Sequence, residues 1–239
     1  MSKLSVDVVV SFDTTGSMYP CLTQVRKHME DMITQLFKEI PDLRMGIIAH
    51  GDYCDGGRAI TILTLTSEIQ KLCKFTREVP ATNGGDSPEC YELVLHKARS
   101  LAWRAGKKVL IVIGDAEPHG PDYPDNKLKL DWRNELGLLL KMVVHAYAIQ
   151  CLGYSGANHF YSQIAKQTQG CHLTLDQFSS AVDLVMARRT DVTVCIADLV
   201  FAHVTHCAQN VGHGKVRNCA DSFRGAVRSV DRDTLKASD

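Results

Sequence analysis

The chain has 239 residues, 45% of them hydrophobic and 23% charged, a composition typical of a globular domain with one sizeable core. Its 27 basic and 27 acidic side chains cancel. That argues against a general nucleic-acid binder, which usually carries a basic excess. No apolar run approaches the roughly 20 residues that span a bilayer, and the first residues lead into a strand pattern with no apolar leader. Nine cysteines, an odd count without C-x-x-C spacing, suit free thiols in a reducing compartment, so a cytoplasmic location is expected, with neither nucleic acid nor membrane as a partner.

Strands and helices alternate along the chain. Residues 5–12 (SVDVVVSF) are β-branched and almost continuously apolar, the signature of a strand buried on both faces. After the polar turn 13–18, Leu22, Val25, Met29, Ile33, Leu36, Phe37 and Ile40 recur at steps of three and four, a helix that Pro41 ends. A strand at 44–50, a Gly/Asp-rich turn at 51–57 and an alternating strand at 59–65 read as a hairpin. Ser67 caps a helix to about 79. The glycine-rich loop 82–88 leads into a helix that Pro88 starts and that runs to about 105. A second core strand spans 108–114 (KVLIVIG), followed by a Pro/Gly-rich loop, a helix at 127–141 and a strand at 143–151. Asn158 caps a helix that Gly170 stops, then come a strand at 171–175 and a closing helix from Ser179 or Ser180 to about 189. This predicts an α/β fold, Rossmann-like and doubly wound, with a mostly parallel central sheet flanked by helices over residues 1–190. Residues 191–239 form a C-terminal extension.

The two core strands each end in an acidic loop, Asp13-Thr14-Thr15-Gly16-Ser17 and Gly114-Asp115-Ala116. A third loop, Thr82-Asn83-Gly84-Gly85-Asp86, opens a helix on what is expected to be the same sheet edge. In open α/β sheets ligands bind beyond the carboxyl ends of the strands. Alternate residues of the first loop, Asp13, Thr15 and Ser17, offer a carboxylate and two hydroxyls. These are hard oxygen donors that suit Mg²⁺, with Mn²⁺ or Ca²⁺ as substitutes.

The segment Val8 to Met18 resembles the first motif of the metal-ion-dependent adhesion site of von Willebrand factor type A domains. Thr82 to Glu89 resembles the second loop of a subgroup of this family, and Ile113 to Gly120 resembles the third in the form found in intracellular members such as those attached to alpha-type kinases. The resemblance implies a metal site made by Asp13, Thr15, Ser17, Asp115 and one residue of the second loop. Better-known members place a threonine there. Asp86 stands nearest that position in this chain, and Thr82 is the alternative. A directly ligating Asp86 makes the site more negative, so it holds metal more tightly and attracts acidic ligands less. The implied function is a metal-dependent protein-interaction module whose partner presents an Asp or Glu, with Thr82 and His119 at the partner side. Oligomeric state is not legible.

Two other functional classes compete with this one. A phosphoryl-transfer enzyme lacks a GxxxxGK[ST] loop and a GxGxxG fingerprint, and Thr15 stands where a haloacid-dehalogenase-type phosphatase has its second aspartate. A non-catalytic chain is therefore expected. A structural subunit with a merely stabilising metal is the other. The turn bearing Asp52, Asp55, Gly56 and Gly57 reads as a solvated hairpin turn rather than an accessory cation site. His203, His206, Cys207, His213 and Cys219 lack the paired spacing of structural zinc. Trp103 and Trp132 read as packing residues, and Cys73, Cys90 and Cys151 as small buried hydrophobes.

Overall fold

A segment that is β-branched and apolar on both faces must be covered on both, and it lies at the centre of the fold. In the computed structural model, which describes residues 5–104 and 106–177, strand β1 (Val6–Asp13) has all eight residues buried. It pairs in parallel with β2 (Leu43–His50) and β4 (Lys107–Gly114). Strand β5 (Val144–Gln150) joins β4 in parallel and carries the short β6 (His172–Thr174). Among the described residues only β3 (Ile60–Thr66), the hairpin partner of β2, runs antiparallel. The order β3-β2-β1-β4-β5-β6 means that the chain first winds outward from β1 and then crosses back to β4. The topological switch point falls between β1 and β4, the two strands that end in Asp13 and lead into Asp115.

Helices cover both sides. Helix α1 (Tyr19–Glu39) buries Leu22, Val25, Met29, Ile33 and Leu36 of the expected stripe, leaves Phe37 half-buried and ends before Ile40, and packs beside α2 (Ile69–Glu78). The other apolar face carries Val9, Leu110, Val112, Ala146 and Ala148 and packs with side chains of α3 (Tyr91–Arg99), α4 (Trp132–Lys141) and α5 (Asn158–Gln167). Cys73, Cys90, Cys151 and Trp132 are buried. No helix among the described residues is long and apolar enough to cross a membrane. The closing helix expected near 179–189, the extension 191–239 and its His/Cys group lie outside the described residues.

Several boundaries differ from expectation, among them the end of α3 at Arg99 rather than near 105. Helix α3 starts at Tyr91 rather than Pro88, because the residues before it are held against the third loop. Glu89 N donates to Glu117 O at 2.9 Å, and Glu89 pairs with Pro118 as an isolated parallel bridge. Helix α4 starts at Trp132 rather than 127. Asp131 caps it by accepting from Arg133 N, and Asn126 ties down the preceding loop through Gly120 O and Leu130. Past α5 the left-handed residue is Gln169, at φ 59°, and Gly170 lies against the Ala146 carbonyl, where a Cβ would collide.

The opposite edge of the sheet is locked by charge. Asp7, 1% exposed, accepts from Arg44 Nε and Nη2 at 3.1 and 2.7 Å, and from Arg104 N and Nε at 2.7 and 2.8 Å. Arg104 also reaches Asp42 at 2.6 Å. Burial alone would raise the Asp7 carboxyl, but the bonds from Arg44 and Arg104 outweigh it and hold the group below its ordinary 3.8. A depressed folded-state value contributes stability above 3.8 that is lost as pH falls through the folded value. Asp7→Ala is expected to cost about 2–4 kcal/mol in urea unfolding at neutral pH, by leaving two guanidinium groups facing each other. The variant should also lose less further stability than wild type on acidification.

Candidate metal centre

Asp13 ends β1 with its side chain fully buried. Its Oδ1 accepts from the amide and hydroxyl of Thr15 at 2.8 and 2.7 Å, the Asx turn that the loop sequence invites. Its Oδ2 accepts from the Tyr91 hydroxyl at 2.7 Å, and Tyr91 in turn accepts from Tyr161 at 3.0 Å. Even with these donors, burial raises the Asp13 carboxyl above its ordinary value. Ser17 Oγ stands 3.2 Å from Thr15 Oγ1 and donates to Asp115 Oδ1 at 3.1 Å. Burial first, and the charge of Asp13 second, push Asp115 up to about 6. Asp13, Thr15, Ser17 and Asp115 thus form one connected chain of oxygens across the switch point.

The second loop closes on the first through backbone bonds, Thr82 N to Thr14 O at 2.9 Å and Gly16 N to Asn83 O at 3.0 Å. Gly84 takes φ +71°, and a Cβ there would stand 2.7 Å from Glu89 Oε1 and 3.2 Å from Thr15 Cβ, so the loop needs glycine twice over. The consequence is that Glu89, 3% exposed, is turned inward beside Thr15. Its Oε2 has no hydrogen-bond partner. Burial first, then the charges of Asp13 and Asp52, push Glu89 up to about 10. Among the described residues no lysine or arginine pairs with Asp13, Glu89 or Asp115. The His50 imidazole lies 4.0 Å from Asp13 Oδ2, but burial lowers it to about 3 and keeps it neutral. Glu89, Asp115, Ser17 and Asp86 line one open cleft of about 310 Å³, with half-exposed Tyr154 at its side.

The remaining expected residues sit elsewhere around this cleft. Thr82 is buried, its hydroxyl 3.0 Å from Thr14 Oγ1 and its carbonyl accepting from Tyr19 at 2.7 Å. Asp86 is 48% exposed in its side chain, with an oxygen 3.7 Å from His119 Nε2. His119 is only 2% exposed. Its Nε2 lies 2.7 Å from Asp52 Oδ1, and its ring stacks on Tyr123 at 3.7 Å between centroids. Neither Thr82 nor His119 faces solvent. Asp52 is fully buried, so the turn that reads as solvated is solvated only in part. Asp52, Asp86 and His119 place ligand atoms within 4.8 Å of one another, a group able to hold a metal ion. Sequence reasoning missed Glu89 as a site residue, although its place just past the glycine pair was a usable signal. No signal marked Tyr91 or Tyr161.

No family model matches the chain. It is 26% identical over 121 residues to the alpha-protein kinase vwkA of Dictyostelium discoideum, which covers 49% of this chain and 19% of that protein. It is also 26% identical over 118 residues to a putative ariadne-like RING finger protein of Acanthamoeba polyphaga mimivirus, covering 48% of this chain and 11% of that one. The chain therefore matches less than a fifth of either relative's length. Among solved structures, the pilus adhesin SpaC of Lactobacillus rhamnosus GG in its open conformation shares the fold, with a TM-score of 0.55, 14% identity, and coverage of 78% of this chain and 30% of that chain.

A carboxyl whose folded-state value is raised holds its proton longer in the folded than in the unfolded chain, so stability falls as pH rises through the interval. For Asp115 that interval is 3.8 to about 6, and for Glu89 it is 4.5 to about 10. Thermal unfolding of chelator-treated protein should therefore give a Tm that falls with rising pH. Glu89→Gln should flatten the decline above the Asp115 interval; an unchanged slope would remove Glu89 from the charged cluster.

Proposed function

We propose that this chain is a von Willebrand factor type A-like interaction module that holds one hard divalent cation, Mg²⁺ by preference, and uses it to bind a protein partner. The observation that carries the reading is Glu89: a buried carboxylate with an unpartnered oxygen, set beside buried Asp13 and Asp115 with no cationic side chain among the described residues to offset them. The donors are carboxylate and hydroxyl oxygens, the set that suits Mg²⁺ or Mn²⁺ and not a soft metal. Asp13, Ser17, Asp115 and Glu89 would hold the ion. Thr15 orients Asp13 through its amide and hydroxyl, and Tyr91 fixes the far oxygen of the same carboxylate. Bound there, the ion supplies a Lewis-acidic position open to an oxygen ligand from outside. Asp86, Ser87 and Tyr154 border the opening, with Tyr154 offering an aromatic surface beside the charged centre.

Glu89 sharpens what the partner must do. With three carboxylates around a doubly charged ion, a fourth from outside meets net negative charge. The partner's Asp or Glu therefore competes with Glu89, which acts as an internal carboxylate ligand.

Calorimetric titration of Mg²⁺ and Mn²⁺ into chelator-stripped protein tests the first half. One saturable site is expected, weakened at least about tenfold in Asp115→Asn and lost in Asp13→Ala. Absence of binding in wild type, or unchanged binding in Asp13→Ala, would refute the proposal. Competition from Glu89 predicts opposite effects of one substitution. Glu89→Gln should weaken Mg²⁺ binding while strengthening the Mg²⁺-dependent binding of an acidic peptide, read by fluorescence anisotropy.

A further inference from the structure

Beside the oxygen-lined centre stands a second group of different chemistry. Asp52 and Cys54 come from the turn after β2, Asp86 from the glycine-rich loop, and His119 from the loop after β4. Asp52, Asp86 and His119 converge with ligand atoms no more than 4.8 Å apart. His119 Nε2 is 2.7 Å from Asp52 Oδ1 and 3.7 Å from Asp86 Oδ1. Ligand atoms about 2.0–2.1 Å from a tetrahedral zinc ion lie about 3.3 Å from one another, so the two observed spacings bracket the edge of such a site.

Two further observations point to a ligand. Asp52 Oδ2 is buried in a side chain with no exposed surface and has no hydrogen-bond partner. The Cys54 sulfur lies just outside that group, on an exposed side chain whose rotation would bring it in as a fourth ligand. The point where a Cβ on Gly85 would stand is 2.9 Å from Cys54 Sγ and 3.4 Å from Asp52 Oδ2, so any side chain at Gly85 would intrude on both. The frame around them is already tied. Asp55 accepts from the amides of Asp52, Asn83 and Gly84 at 3.0, 3.0 and 3.3 Å, which fastens the turn with Asp52 and Cys54 to the loop with Asp86. Tyr123 stacks on the His119 ring and sets its plane.

We propose that Asp52, Cys54, Asp86 and His119 form a second metal site, one that takes a borderline transition-metal ion of the zinc class. One sulfur, one imidazole nitrogen and two carboxylate oxygens suit Zn²⁺ or Co²⁺, whereas the neighbouring all-oxygen centre suits Mg²⁺. Four protein ligands make a closed, structural site. Its effect is to clasp three loops together at the flank of the cleft, which fixes the second loop that also carries Glu89's neighbour Gly84.

The test is cobalt substitution in the full chain, stripped with chelator and given one equivalent of Co²⁺. The expected spectrum has the intense visible bands of four-coordinate cobalt and a near-ultraviolet thiolate-to-cobalt band, both erased by added Zn²⁺. Cys54→Ser should remove the thiolate band, and Asp86→Asn should weaken cobalt binding at least about tenfold. Both side chains are exposed, so these variants keep their fold, which circular dichroism verifies. Asp13→Ala should leave the cobalt spectrum intact, which separates this site from the Mg²⁺ centre. The proposal is overturned by a weak six-coordinate spectrum, or by no binding at micromolar cobalt. A thiolate band that survives Cys54→Ser also overturns it, since the sulfur would then belong to another cysteine.

Discussion

Three buried carboxylates, those of Asp13 at the end of β1, Glu89 and Asp115, are drawn together with no cationic side chain among the described residues to offset them. Asp13 is saturated by Thr15 and Tyr91, Asp115 receives Ser17, and Glu89 keeps one buried oxygen bare. Like charges this close, taken out of water, oppose the fold that holds them. The surrounding architecture is arranged to hold them nonetheless. Adjacent parallel strands β1 and β4 set Asp13 and Asp115 side by side at the switch point. A glycine at 84 lets Glu89 turn inward, and the Glu89–Glu117 backbone bond delays α3 so that the glutamate is not swept into the helix. The divalent cation proposed for this centre would resolve the conflict, because the oxygens that repel one another are the ligands it needs.

Much of this was legible in the sequence, for physical reasons. Strands β1 and β4 show as continuous apolar runs because both faces are covered, and a segment hydrophobic on every side has few other places to go. Asp13, Thr15, Ser17 and Asp115 were legible because they sit at the ends of those strands, where the pattern itself marks the site. The residues that were not legible owe their position to contacts distant in sequence. Pro88 signals a helix start by its fixed φ, yet the bridge from Glu89 to Pro118 holds that stretch extended and moves the start to Tyr91. Asp52 sits in a turn of Asp and Gly residues, and local chemistry reads such a turn as solvated. Only the approach of His119, across 67 positions of chain, buries it. Tyr91 and Tyr161 present themselves as ordinary aromatic residues on helix faces, and the hydroxyl relay to Asp13 emerges only from the packing of α3 against α5.

The two candidate centres share one wall, and their chemistries separate them. The Asp13 centre offers only oxygens and opens onto a cleft; the Asp52 group combines oxygen, nitrogen and sulfur, with Asp52 and His119 buried and Cys54 and Asp86 at the surface. The first suits exchange of an outside ligand, the second suits permanence. Gly84 and Gly85 stand between them, the one beside Glu89 and Thr15, the other beside Cys54 and Asp52. Metal bound at the Asp52 group would therefore order the same loop whose Gly84 lies against Glu89.

The central claim is that the three carboxylates are metal ligands and not a buried proton store. Anomalous diffraction from crystals soaked in Mn²⁺ tests it most directly. The account predicts an anomalous peak within bonding distance, about 2.1–2.2 Å, of oxygens from Asp13, Ser17 or Asp115, with Glu89 Oε2 turned toward it. A fully soaked crystal with no peak in this cleft, and with Glu89 still in its present position, would contradict it.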